Sequence, residues 1–178
     1  MAYADLSSYG SEFIDTPNLD KMADDGLKMT SYYAPQAVCS ASRAAILTGC
    51  YPNRLGISGA FGPKSKRGIN PDELLLSEML QSNNYKTGIF GKWHLGDNYS
   101  FLPEQRGFET TFYHKGGGVG QTPDYWLNDY ENDTYFRNGI PEQAQGFCTD
   151  VFFDEAITFI ENNKEEPFLC YLSLNAPH

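Results

Sequence analysis

The stretch that most constrains this chain is Val38-Cys39-Ser40-Ala41-Ser42-Arg43-Ala44-Ala45-Ile46-Leu47-Thr48-Gly49. Alanines and leucine favour a helix, and Gly49 is the usual residue just past a helix end. Cys39 then lies at a helix N-terminus, where unpaired backbone N–H groups and the helix dipole favour negative charge. Arg43, four residues on, falls one turn up on the same face. A sulfur, free N–H groups and a guanidinium converge, which is the chemistry of an oxyanion site. A cysteine at a helix start is, taken alone, more often a small buried hydrophobe. The surrounding string decides between the two readings.

Cys-Ser-Ala-Ser-Arg followed by Leu-Thr-Gly resembles the signature of the type I, formylglycine-dependent sulfatases, arylsulfatase-like enzymes with the pattern Cys-x-Pro/Ala-Ser-Arg. In that family the cysteine is oxidised after translation to formylglycine, so the resemblance implies a maturation enzyme as a partner. Ala41 stands where most members carry proline. A second string, Gly91-Lys92-Trp93-His94-Leu95-Gly96, follows the segment Tyr85 to Phe90. It reads as a buried strand leading into a polar loop, the place where open α/β sheets put their sites. It resembles the second sulfatase signature, and the family's sulfate-contacting lysine and histidine map onto Lys92 and His94. A third, Asn175-Ala176-Pro177-His178, follows the continuous apolar run Phe168–Leu174, which reads as a parallel strand. A terminal histidine is ordinarily a frayed tail. The family's Ala-Pro-His supplies a site histidine, and that role is carried onto His178.

Other elements follow from local chemistry. Thr16-Pro17-Asn18-Leu19-Asp20 reads as a helix start, with Leu19, Met22 and Ala23 as its buried stripe and Gly26 as its stop. Asn70 with Glu73 reads as the cap of a second helix whose Leu74, Leu75, Met79 and Leu80 face the core. Thr149 reads as the cap of a helix over 150–163 with Val151, Phe152, Ala156, Phe159 and Ile160 on its apolar face. The loop between Cys50 and Gly68 carries Arg54, Lys64, Lys66 and Arg67, as contacts for a sulfated substrate or as solvated charges. Residues 97–147 show little periodicity. Gly116-Gly117-Gly118 reads there as a flexible turn. The aromatics from Tyr113 to Phe136 read as cover for a sheet edge or as the lining of a sugar cleft, and Arg106 and His114 find no role.

Composition sets the outer bounds. Apolar residues make up 40% of 178 and aromatic ones 15%, enough for a globular core. Net charge is −10, which speaks against a nucleic-acid partner and requires positive charge to be concentrated locally around any anionic substrate. No apolar run reaches the length of a membrane span. Cys39, Cys50, Cys148 and Cys170 match no zinc spacing and do not form a disulfide scaffold.

The resemblance implies an α/β fold: part of the alkaline-phosphatase-like sulfatase architecture, a mostly parallel sheet flanked by helices. Residues 1–178 would be a partial, N-terminal piece of the catalytic domain with no second domain. Its first strand and C-terminal portion would be missing, since Met1 stands just after the place of the family's two metal-binding aspartates. Asp5 matches a later aspartate of that string and reads as a turn or cap residue. The implied reaction is sulfate-ester hydrolysis, with sulfated glycans as the expected substrates. One hydroxyl of a hydrated formylglycine at position 39 attacks sulfur, and the other loses its proton to expel sulfate. Arg43 and Lys92 hold the charge, His94 accepts a proton, and His178 assists the leaving oxygen. Calcium is the family's cofactor, and the formylglycine at Cys39 would be its one ligand here. The fragment alone is expected to bind calcium weakly, to lack turnover and to self-associate. The intact family member is expected to be periplasmic, secreted or lysosomal. Two alternatives stay open: a related metal-dependent phosphatase, against which Cys39 in place of Ser or Thr argues, and a non-catalytic sulfatase-like domain.

Overall fold

A computed structural model describes residues 3–176. The chain forms two units, one ending at Ala34 and the other running from Pro35 to Ala176. His178 lies outside the described residues.

The first unit contains α1 (Pro17–Asp25) and two short 3-10 turns, Tyr3–Asp5 and Ser7–Tyr9. Asp5 thus closes a turn, as its sequence context suggests. Thr16 precedes α1, but its hydroxyl does not cap the helix. It bonds instead to Ser7 and Asp20, and Asp20 also accepts from the Ser8 N–H at 2.8 Å. The Ser7 hydroxyl, foremost among these donors, lowers the Asp20 carboxyl below its usual range. The expected buried stripe is not buried: Leu19 is 40% and Met22 72% exposed, and Ala23 is half-buried. Among its described residues this unit holds one α-helix and no strand, so an apolar stripe has little to pack on.

The second unit is built on a five-stranded sheet. Its strands are β1 (Lys86–Lys92), β2 (Thr110–His114), β3 (Thr134–Arg137), β4 (Ile140–Gln143) and β5 (Phe168–Ser173), in the order β4-β3-β2-β1-β5. Strand β1 pairs in parallel with both β2 and β5, while β2–β3 and β3–β4 are antiparallel. Helices α2 (Cys39–Thr48), α3 (Leu76–Ser82) and α4 (Cys148–Asn163) complete the unit. Successive strand residues point to opposite faces, and β1 shows the consequence. Ile89 packs with Ala44 and Leu47 of α2 and with Leu75. Phe90 packs with Phe152, Ala156 and Phe159 of α4. A central strand covered on both faces needs apolar residues on each, and β1 supplies Ile89 to one and Phe90 to the other.

Several expectations need correction. Asn70 caps only a turn, accepting from the Asp72 and Glu73 N–H groups. Helix α3 begins at Leu76, where Glu78 reaches back to the Leu75 N–H at 2.7 Å. That shift buries Leu75 and leaves Leu74 and Met79 exposed. Helix α4 starts at Cys148, ahead of Thr149, and leaves Ile160 at the exposed edge of its apolar face. Residues 97–147, which show little periodicity in sequence, contain β2, β3 and β4. Tyr113, Tyr135 and Phe136 are neither edge cover nor cleft lining; they lie within those strands and pack in the two cores.

Candidate active site

Helix α2 starts at Cys39 because Val38 is still extended (φ −120°, ψ 150°). It ends where Gly49 turns left-handed at φ 68° and donates to the Ala45 carbonyl. Ser40, Ala41, Ala44, Ala45 and Leu47 are buried. The other side of the first turn presents Cys39, half-buried, and Arg43. The first bond within the helix is Ser42 N–H to the Val38 carbonyl, so the N–H groups of the opening turn point outward from the helix end.

Strand β1 delivers Lys92 as its last residue, 2% exposed. The Lys92 ammonium donates to the Gly117 carbonyl, and its own carbonyl receives Arg43 Nη1 at 2.9 Å. Burial and then the Arg43 charge bring the Lys92 pKa down to about 8, while the Cys39 sulfur, hydrogen-bonded to the ammonium, works the other way. Desolvation likewise depresses Arg43, offset by Tyr171 and Cys39. Guanidinium nonetheless stays charged at any working pH. Among the described residues no ion pair joins Arg43 or Lys92 to a carboxylate. Two cations are therefore held together, out of water, without a counter-charge.

His94 follows at φ 55°, a left-handed conformation uncommon outside glycine. That bend turns its ring away from the strand direction, where Nε2 meets the Phe61 carbonyl at 2.9 Å. A carbonyl only accepts, so Nε2 carries the proton in this arrangement. The Phe61 N–H in turn donates to Ser40 Oγ at 3.0 Å. One loop residue thereby ties the start of α2 to the segment after β1. Gly117 passes so close that a Cβ on it would stand 3.1 Å from the His94 ring.

Cys39, Phe61, His94, Gly117, Gln121 and Thr122 line a cleft of about 310 Å³. Of the basic loop, Arg67 lines a smaller neighbouring cavity with His94 and Lys115, and its guanidinium is held by the Gly56 carbonyl. The structure brings together Cys39, Arg43, Lys92 and His94. His178 lies outside the described residues. Phe61, Gly117 and Ser173, whose hydroxyl touches both Arg43 and the Lys92 carbonyl, belong to the site without having stood out in the sequence. Backbone carbonyls carry no residue signature, and a serine closing an apolar strand reads as an ordinary strand end.

Calcium needs six to eight oxygen ligands, several of them carboxylates. Among the described residues no three His, Cys, Asp or Glu side chains come together to hold a metal ion, and the groups beside Cys39 are cationic. The described residues alone therefore do not fit the ion. Among them, too, no helix is long and apolar enough to cross a membrane.

Comparison with known proteins gives a consistent picture. The Sulfatase family model matches residues 1–178. Arylsulfatase A of Bos taurus is 47% identical over 151 residues, covering 83% of this chain and 28% of the relative. N-acetylgalactosamine-6-sulfatase of Sus scrofa is 34% identical over 199 residues, covering 100% of this chain and 38% of the relative. Among solved structures, Ps i-CgsB superposes with a TM-score of 0.90 at 32% identity, over 100% of this chain and 43% of that one. It has also been solved in complex with k-i-k-neocarrahexaose. The chain thus spans well under half the length of the proteins it matches.

Proposed function

Since the chain belongs to the sulfatase family, we propose that the cleft at Cys39 is the sulfate-binding part of a sulfuric ester hydrolase. The observation that carries this is the pairing of buried Lys92 with half-buried Arg43, with no carboxylate paired to either among the described residues, next to the outward N–H groups opening α2. Buried like charges repel unless an anion joins them, so the arrangement is complete only with one bound.

Cys39 is the proposed precursor of formylglycine, made by a maturation enzyme. It lies half-buried on the cleft wall, open to both modification and substrate. When present, formylglycine supplies a geminal diol with one hydroxyl to attack sulfur and another to expel sulfate. Arg43 and the helix N–H groups hold the charge that develops on the nucleophilic and sulfate oxygens. Lys92, with its pKa near 8, can bind the sulfate as a cation and share a proton with the leaving oxygen. His94 keeps its Nε2 proton on the Phe61 carbonyl, so a proton taken from the nucleophile goes to Nδ1. His178 is proposed to assist the leaving group. The resemblance implies calcium as the family's cofactor, which the described residues alone do not fit. The names of the porcine relative and of the bound saccharide in Ps i-CgsB support a sulfated glycan as the substrate. Residues 1–178 are accordingly proposed as part of a catalytic domain.

Peptide mass mapping tests the first step, since conversion of Cys39 to the aldehyde removes about 18 Da. Converted protein, assayed with aryl sulfates, sulfated oligosaccharides and aryl phosphates, tests the second. Hydrolysis of phosphate esters in preference to sulfate esters would overturn the reading, as would sulfate-ester turnover that persists in Cys39→Ala.

A further inference from the structure

Arg43 poses a problem of orientation. A bound guanidinium is usually fixed by a carboxylate fork, and none meets Arg43 among the described residues. Among the described residues its Nε has no hydrogen-bond partner that meets good geometry, Nη2 reaches the Leu174 carbonyl at 3.4 Å, and the Tyr171 side chain supports the charge from beside it. What grips it is Nη1, which donates both to the Lys92 carbonyl and to the Ser173 hydroxyl. Ser173 is 7% exposed, and its own proton goes to the Lys92 carbonyl at 2.9 Å. A hydroxyl has one hydrogen and two lone pairs. With the hydrogen committed to Lys92, a lone pair is what faces Arg43. Arg43 Nη1, Ser173 Oγ and the Lys92 carbonyl form a closed triangle joining α2 and the ends of β1 and β5.

We propose that Ser173 is a positioning residue that orients the Arg43 guanidinium at the anion site. The proposal rests on the assignment of Arg43 to that site. Neutral acceptors give it a specific merit: they fix direction without cancelling charge. A carboxylate at the same place would hold Arg43 equally well and leave less positive charge for an incoming sulfate. The sheet is built to bring Ser173 there. Gly91 of β1 stands opposite Ser173 of β5 in the parallel register, at φ 111°. Any Cβ on Gly91 would collide with the Ser173 carbonyl oxygen. Glycine at that position therefore permits the close approach that places the hydroxyl between Arg43 and the Lys92 carbonyl.

Nitrogen-15 spectra of arginine side chains in the 178-residue chain, combined with calorimetric titration with inorganic sulfate, test this. A guanidinium held at Nη1 should give separately resolved Nη signals for Arg43. In Ser173→Ala these should merge through rotation about the Cζ–N bond, and sulfate affinity should fall about tenfold, the order expected for one hydrogen bond to a charged group. Ser173→Thr, which restores the hydroxyl, should recover both. In an Arg43→Lys background Ser173→Ala should cost no further affinity. Unchanged Arg43 signals in Ser173→Ala, or affinity losses that simply add in the double variant, would overturn the proposal. Should Ser173→Ala fail to fold, Ser173→Cys fills the same space with a weaker acceptor, and an unaltered Arg43 spectrum there would overturn it equally. A wild-type chain that binds no sulfate would count against the functional reading, while the Arg43 signals alone would still decide the role of Ser173.

Discussion

Two arginines lie in this unit's interior, and their surroundings differ in one respect. Arg106 is 2% exposed, and its Nε meets Glu78 Oε1 at 2.9 Å. Its remaining donors reach the carbonyls of Ile69 and Glu73 at 3.0 and 2.6 Å. Arg43 is held by a serine hydroxyl and carbonyls and keeps its charge uncompensated. A chain that neutralises a buried cation itself is using it as structure. One that orients a buried cation and leaves it unneutralised has made room for an anion. The Arg106 cluster joins the turn at Ile69–Glu73 to the start of α3 and the segment before β2, and nothing in it is left over for a ligand.

The largest effect expected from this contrast is on stability. Glu78→Ala leaves Arg106 buried and unpaired, which typically costs about 3–5 kcal/mol. At roughly 2–4 °C per kcal/mol for a chain of this size, thermal unfolding should drop by on the order of 10 °C. Arg43→Ala should lower stability little or raise it, because it removes repulsion with Lys92. A Glu78→Ala variant that melts with the wild type would erase the distinction. Next comes function: in a converted, active protein, Arg43→Ala should lower turnover about 100- to 1,000-fold, as removal of one preorganised oxyanion partner does. Turnover within a few fold of wild type would return Arg43 to a structural role. Third is Gly91→Ala. Left-handed strain adds about 1–3 kcal/mol to the collision with the Ser173 carbonyl. Denaturant unfolding should show a loss of at least that size, and a neutral result would mean that β1 and β5 need not approach closely at this point.

The two arginines also separate what was legible in the sequence from what was not. Arg43 was readable because its motif is local: Cys39 lies one turn away, and the alanine-rich run with a terminal glycine defines the helix, while its hydrogen-bond partners at Lys92, Ser173 and Leu174 are distant in sequence. Strand β5 was readable as an apolar run, and β1 from Ile89 and Phe90 leading into the Gly-Lys-Trp-His loop. Arg106 was not, since its partner Glu78 is 28 residues away and the sequence places the α3 cap at Asn70 instead. Strands β2 to β4 were missed for a related reason. They span four or five residues each, and turn-forming Gly, Asn and Asp between them mask any alternation. The site's side chains were thus visible, while the carbonyls of Phe61, Lys92 and Gly117 that aim them depend on long-range folding.

The smallest effect concerns a third arginine. Arg137 is 32% exposed and bridges Glu142 at 2.7 Å and Glu155 at 2.6 Å, lying also over the Phe112 ring. Its charge is compensated as fully as that of Arg106, but in contact with water. If burial sets the scale of the Arg106 pair, the Arg137 pairs must be weak. Glu142→Gln should therefore cost only about 0.2–1 kcal/mol. The cost should also depend on pH with a definite sign. Hydrogen bonds from Arg137 hold the Glu142 carboxyl below its usual value of 4.5 in the folded state. A depressed folded pKa contributes stability that is fully present above the unfolded value and is lost as pH falls through the folded one. Urea unfolding of both proteins should accordingly show the full difference near neutrality. The two curves should converge only as pH falls through the depressed folded-state value, once the carboxylate is protonated and the wild type has become, electrically, its own glutamine variant. A difference above about 2 kcal/mol at neutral pH, or one that survives acidification intact, would show that exposure does not weaken this pair, and that a carboxylate partner alone separates structural arginines from Arg43.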